Sequence, residues 1–227
     1  MKPLLVLAAF PVVLMGWASC SHSGTGHAAL PDPRAVDKSV PEYKNPFHPS
    51  TYAHFVARKD YRKTYDVYKD DTLLNRQPKK SRKIFVCLDE QRGQYLVDGL
   101  VAMDFPLSSG VKAYPTKTGD YAVISKKEDH TSNLYGKMYD AEGKCINYNA
   151  ESTDPIPEGG RFDGSPMPYW QRLTNAGLGL HVGKVRRHPV SHGCVRLPRN
   201  VAEILYRQTS IGTPVTIRKT PLPVPEA

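Results

Sequence analysis

Residues 83–105 read KIFVCLDEQRGQYLVDGLVAMDF, and the period of this stretch decides the fold class. Ile84, Val86 and Leu88 recur every second residue, so they fall on one face of an extended strand. Gln91-Arg92-Gly93 and Asp98-Gly99 are turn signals. Asp-Gly adopts the positive φ angles that a two-residue hairpin turn needs, so 94–97 and 100–105 are predicted to pair as a tight hairpin. Ser108-Ser109-Gly110 closes that unit. Further on, 120–125 alternates Tyr121 and Val123 against Ala122 and Ile124 and reads as one more strand. Residues 177–182, which bring the chain to His181, and 213–218 are the remaining strand candidates. Asn200, with Glu203 three positions on, has the spacing of a capping box, and Val201, Ile204 and Leu205 form the apolar face of the helix that would follow. Gly212 lies beyond its end. Many strands and one clear helix predict a mostly-β domain.

The segments around this domain carry weaker patterns. Residues 127–165 are polar, rich in Gly, Asp and Asn, and show no clear period. A long excursion of that kind is a lid or a tolerated surface loop, and both readings stay open. Residues 51–77 are mixed; Tyr52, Phe55 and Val56 have helical spacing, which predicts a short helical or irregular preamble. Residues 21–50 hold Gly24, Gly26, Pro31, Pro33, Pro41, Pro46 and Pro49 with few large apolar side chains, the composition of a linker. The expected organisation is a leader over 1–20, a linker and partly helical preamble over 21–82, a folded domain over 83–219 and a Pro-rich tail over 220–227.

The leader has Lys2, an apolar stretch from Leu4 to Trp17, and small Ala18 and Ser19 before Cys20. That is a secretory pattern, too short and Pro-interrupted for a membrane span. Ending on Cys20, it resembles a bacterial lipoprotein signal, with Cys20 as the lipidated residue; simple cleavage and an uncleaved anchor are the alternatives. Each places the domain outside the cytoplasm, in the cell envelope. Export permits disulfides, so Cys87 and Cys145 either pair or remain free thiols. The formal net charge of +9 favours anionic partners. No basic motif interleaved with aromatics supports nucleic acid, and Lys79-Lys80-Ser81-Arg82-Lys83 reads as a solvated linker end.

The chemistry-bearing stretch is Ser191-His192-Gly193-Cys194-Val195-Arg196-Leu197. A cysteine attacks as thiolate, and a free thiol has a pKa near 8.5, so it needs a base or a cation beside it. Gly193 frees the backbone for a tight turn whose N–H groups can meet an oxyanion. His192 is adjacent, but neighbours on an extended chain point to opposite sides, so His181 at a strand end is the better base. Taken singly, each of these residues has an ordinary structural use; together they suggest Cys/His acyl transfer. His181, His188, His192 and Cys194 match no strong zinc spacing, and no metal is expected.

This stretch resembles the signature of the L,D-transpeptidases, the YkuD-like domain: a His, a loop, then Ser/Thr-His-Gly-Cys. The resemblance extends from about Lys83 to Arg218. It takes in Leu107-Ser108-Ser109-Gly110, Tyr114-Pro115-Thr116-Lys117-Thr118-Gly119-Asp120-Tyr121, Met167-Pro168-Tyr169-Trp170, Leu180-His181-Val182-Gly183 and Gly212-Thr213-Pro214-Val215. Thr118 stands where the family usually has Pro, and the 13 positions from His181 to Cys194, ending in Val-Arg-Leu-Pro, mark a short-loop subgroup. The resemblance implies a β-sandwich or barrel-like domain with its main helix after the catalytic Cys. It implies that Cys194 forms a thioester with a peptidoglycan stem tetrapeptide and expels the terminal D-Ala, with His181 as base. Ser191 or Gly183 would orient His181, Gly193 and Cys194 N–H groups would hold the oxyanion, and His192, Arg196 and Tyr169 would shape the donor pocket. Transfer to an amine gives a 3→3 cross-link. Water as acceptor would make the protein an L,D-carboxypeptidase, and a non-catalytic wall-binding lipoprotein is the third reading. No cofactor is implied, and the oligomeric state is left open.

Overall fold

A computed structural model describes residues 31–77 and 81–221. The leader, Cys20, Lys79, Lys80 and most of the tail lie outside the described residues. Residues 1–31 form one unit and the chain from Asp32 on forms another, which holds every helix and strand among the described residues. Among the described residues no helix is long and apolar enough to cross a membrane.

In chain order the elements are α1 (Tyr52–Ala57), β1 (Tyr68–Lys69), α2 (Asp71–Asn75), β2 (Arg82–Cys87), β3 (Arg92–Val97) and β4 (Leu100–Pro106). Next come β5 (Gly119–Ala122), β6 (Ser125–Lys127), β7 (Thr131–Tyr139), β8 (Cys145–Glu151), β9 (Arg161–Pro166) and β10 (Trp170–Arg172). The chain ends with β11 (Gly179–Val182), β12 (Val195–Leu197), α3 (Arg199–Gln208) and β13 (Pro214–Arg218). They form a six-stranded sheet, β1-β4-β3-β2-β13-β5, a four-stranded sheet, β12-β11-β10-β6, and a three-stranded sheet, β8-β7-β9. The fold is mostly β with one main helix.

The β3–β4 hairpin forms at the predicted turn. Val97 pairs with Leu100, and Asp98 and Gly99 take φ of 51° and 83°, the two positive angles of a type I′ turn. Ile84 and Val86 are fully buried, and Leu88 packs against the same cluster. Phe85 and Cys87 on the opposite face are buried too, so β2, paired in parallel to β13, is a central strand. The main core joins Ile84, Tyr95, Met103 and Phe105 of the first sheet to Leu180, Val195 and Leu197 of the second and to Val201 and Leu205 of α3. α3 thereby packs on β11, which bears His181.

Three expectations need correction. The strand foreseen over 120–125 is two strands in two sheets, because the chain crosses over at Val123, whose N–H donates to Thr213 C=O while the Ile124 N–H donates to Arg172 C=O. The capping box does not form: α3 starts at Arg199 behind Pro198 without a side-chain cap, and Glu203 pairs instead with Arg207 one turn on. Proline costs nothing there, because the N–H of an N-cap residue has no intrahelical acceptor to lose. Residues 32–50 are not a free spacer. Arg34 makes a two-pronged ion pair with Glu90 at 2.8 and 2.9 Å, Lys38 Nζ donates to Val56 C=O, Tyr43 Oη donates to Ala57 C=O, and Phe47 is buried. This wrap was illegible because it is held by polar side chains reaching backbone carbonyls rather than by an apolar stripe.

The preamble is fastened to the first sheet by a buried ionic cluster. Arg92 and Asp104 are 1% and 0% exposed, and Arg92 Nε lies 2.5 Å from Asp104 Oδ1. Tyr52 and Tyr61 both donate to Asp104 Oδ2, at 2.7 and 2.9 Å. The guanidinium also donates to the carbonyls of Thr64 and Asp66 and lies over the rings of Phe55 and Tyr61. A buried pair contributes little net stability, but removing one partner strands the other charge. Asp104→Ala is therefore expected to lower unfolding stability by roughly 3–5 kcal/mol in urea titration. A loss below about 1 kcal/mol, the ceiling for a surface pair, would contradict this account of the cluster.

Candidate active site

β11 and β12 are parallel neighbours, with Leu180 opposite Val195 and His181 opposite Arg196. One step back along both strands sets Cys194 beside Gly179. Adjacent strands lie about 4.8 Å apart, so this pairing brings the histidine strand and the cysteine turn together. The short 183–193 connection joins them on one side of the sheet.

The turn before Cys194 is held from three directions. Ser191 Oγ donates to Cys194 C=O at 2.5 Å and accepts the Gly193 N–H at 3.2 Å. Thr116 Oγ1 donates to Gly193 C=O at 2.6 Å and accepts the Gly110 N–H at 2.8 Å. The Val190 and Ser191 N–H groups donate to Ser109 C=O, and the Val111 N–H to Ser191 C=O. Gly193 adopts φ 110°, a conformation that side chains strongly disfavour. Gly110 is required by proximity: a Cβ there would come within 2.8 Å of the Gly193 Cα.

His181 is 6% exposed, and its Nδ1 sits 2.8 Å from Val182 C=O. A carbonyl only accepts, so this contact assigns the proton to Nδ1 and leaves Nε2 with a free lone pair. The orienting carbonyl is that of Val182, not of Ser191 or Gly183 as expected. Ser191 is committed to the turn, and the Gly183 N–H donates to Leu197 C=O. Burial lowers the His181 pKa to about 4; the Val182 carbonyl opposes that shift, and Arg196 and His130 add to it. Burial raises the Cys194 thiol, while the Gly179 backbone and Arg196 favour the thiolate. The thiol donates to Gly177 C=O at 3.3 Å. The resting pair is thus a neutral thiol and a neutral imidazole.

Both side chains line a cleft of about 630 Å³. Its far wall is the three-stranded sheet, which supplies Leu134, Tyr135 and Tyr148. The polar excursion over 127–165 is this sheet together with its flanks. His192 lines the cleft, stacked on Tyr135 at 4.4 Å and 14°, with Tyr114 at 4.8 Å. It therefore joins the turn to the three-stranded sheet through Tyr135. Tyr169 is not among the lining residues: it has φ 55° and packs against Tyr206 of α3 at 5.6 Å. Trp170 takes that place. It is 2% exposed, stacks on His130 at 5.0 Å and lies 5.9 Å from His181. Tyr169 precedes β10 in a left-handed conformation with its ring against α3, while Trp170 opens the strand and lines the cleft. Thr116 and Val182 were missed as holding residues; a threonine amid the Pro/Gly-rich turn 115–119 was the available signal for the first.

The lining cations are Lys117, Arg172, Lys184 and Arg196, and no Asp or Glu lines the cleft among the described residues. Arg196 is half-buried, its stem lies over Gly183, and no carboxylate pairs with it among the described residues. Cys87 and Cys145 are both free thiols, Cys87 donating to Lys219 C=O at 3.1 Å.

Residues 81–217 match the sequence model of YkuD, the L,D-transpeptidase catalytic domain. The chain belongs to the YkuD family of L,D-transpeptidase catalytic domains. A relative of this family, the probable L,D-transpeptidase 3 of Mycobacterium tuberculosis, is 31% identical over 121 residues, 50% of this chain and 38% of that protein. Among solved structures, an L,D-transpeptidase from Mycobacterium smegmatis is 21% identical with a TM-score of 0.47, covering 61% of this chain and 58% of that one. A YkuD-type enzyme from Stackebrandtia nassauensis is 22% identical with a TM-score of 0.46, covering 73% and 65%. The chain thus spans well under two thirds of the length of the curated L,D-transpeptidase it matches.

Proposed function

We propose that this YkuD domain is a peptidoglycan L,D-transpeptidase working through a Cys194 thioester. The observation that carries the reading is Cys194 sharing one cleft with a buried His181 whose Nδ1–H is committed to Val182 C=O, leaving Nε2 to accept a proton. A side-chain rotation away from Gly177 C=O would free the thiol to give its proton to Nε2. Sulfur then attacks the carbonyl of the third stem residue. The Cys194 N–H has no acceptor among the described residues and serves as oxyanion donor. The Gly193 N–H is already taken by Ser191 Oγ. Collapse breaks the amide bond, and the departing D-Ala amine takes the proton from His181. An amine of a second stem then attacks the thioester, His181 takes its proton, and the thiol is restored; the product is a 3→3 cross-link. The leader ending at Cys20 supports action in the cell envelope, with lipidation as the anchor.

Arg196, without a carboxylate partner in a cleft that no Asp or Glu lines among the described residues, supports a donor that bears carboxylates. Arg196→Gln is expected to lower kcat/KM for the donor roughly 10- to 100-fold, the range of a lost charged hydrogen bond. An unchanged value would remove Arg196 from donor binding. The deciding experiment is mass spectrometry of tetrapeptide stems incubated with the protein. Cross-linked dimers support transfer, tripeptide alone would make it a carboxypeptidase, and unaltered stems would overturn the enzymatic reading.

A further inference from the structure

The 183–193 connection is fastened to a part of the chain that lies before the family-matched region. Arg187, in this connection, adopts φ 58°, a left-handed angle unusual for a side-chain-bearing residue. Its guanidinium spans three carbonyls: Nη1 donates to Thr64 at 2.5 Å, and Nη2 donates to Arg62 and, at 2.8 Å, to Glu90. Arg92 reaches the same segment from the sheet side, at Thr64 and Asp66 C=O. The β2–β3 turn is the hub. Glu90 accepts Arg34 through its carboxylate and Arg187 through its carbonyl. Next to it, the Gln91 side chain donates to Ser109 Oγ at 2.8 Å and accepts the Ser109 N–H at 3.0 Å. Ser109 C=O in turn accepts the Ser191 N–H, and Ser191 Oγ holds Cys194 C=O. Between these anchors the Arg186 N–H donates to Ser108 Oγ.

We propose that Arg187 is a positioning residue for the turn that bears Cys194, bracing the 183–193 connection against the preamble at Arg62 and Thr64 and against the β2–β3 turn at Glu90. A connection this short transmits any slack at Arg187 to the sulfur a few residues on. Displacing a reacting atom by about 1 Å costs up to about 100-fold in rate. The proposal rests on the Cys194 sulfur being the reacting atom, and it gives the preamble around Arg62 and Thr64 a role in turnover.

The test compares Arg187→Gly and Arg187→Lys with the unaltered full chain. Glycine relieves the backbone angle while deleting the side chain; lysine keeps the charge but cannot span three carbonyls. Three quantities are read: thermal midpoint, kcat and KM on tetrapeptide stems, and the pH profile of Cys194 alkylation by iodoacetamide, mapped by mass spectrometry. Both variants are expected to lose about 10- to 100-fold in kcat per folded molecule with KM within about twofold, and to shift the alkylation profile, lysine less than glycine. If one variant fails to fold, the other decides. Unaltered kcat and alkylation profiles in the folded variants would overturn the proposal, leaving Arg187 a stabilising residue. Should the unaltered chain leave stems untouched, the functional reading falls, while the alkylation profiles still decide this one.

Discussion

Cys194→Ala is expected to release no D-Ala above background and to show no acyl-enzyme mass after incubation with tetrapeptide stems. Neither of the other described cysteines can substitute. Cys87 is buried in β2 with its thiol pushed up to about 11 by burial, and Cys145 lies at the start of β8, away from the cleft lining. The fold should persist. Cys194 is only partly buried, its thiol hydrogen-bonds to backbone groups alone, at Gly177 C=O and Gly179, among the described residues, and the turn is held through backbone groups by Ser191 and Thr116. A variant that keeps its thermal midpoint yet still releases D-Ala would show that the nucleophile lies elsewhere.

His181→Ala is expected to reduce kcat/KM by roughly 10²- to 10⁴-fold, the usual worth of a general base. The pH dependence is the sharper test. With the His181 pKa lowered to about 4, the base stays unprotonated far below the ordinary imidazole range. The acid limb of kcat/KM should therefore centre near pH 4, and a limb at about 6.5 would contradict a buried neutral base. Iodoacetamide reactivity of Cys194 should rise only at alkaline pH, because burial raises the thiol and the resting pair is not an ion pair. Stability follows with a definite sign. Between about pH 6.5 and 4 the unfolded chain protonates this imidazole and the folded chain does not, so stability falls as pH drops through that window and levels below it. The full difference is on the order of 3 kcal/mol, and His181→Ala should remove that part of the acid destabilisation.

How far the sequence could be read depended on whether local pattern and burial agreed. β2, the β3–β4 hairpin and β13 were legible because alternating apolar residues and an Asp-Gly turn state face and reversal within a few positions. The three-stranded sheet was not. Of its apolar side chains only Met138 and Ala150 are buried, while Leu134, Ile146 and Tyr148 are exposed, so no period marks β7, β8 and β9. A strand whose apolar residues face a cleft rather than a core leaves the composition of a loop.

The site divides in the same way. The sequence alone determined that Cys194 follows a glycine in a tight turn and that His181 lies near the end of an earlier strand, since residue type and spacing mark both. Tertiary structure alone decided that Val182 sets the imidazole, that Trp170 rather than Tyr169 faces the cleft, and that Arg187 reaches the carbonyls of Arg62, Thr64 and Glu90. Those relations are choices among adjacent residues, as with Val182 and Trp170, or hydrogen bonds between residues 97 to 125 positions apart. Neither leaves a local period, because what selects them is the register of parallel strands and the path of a loop through space.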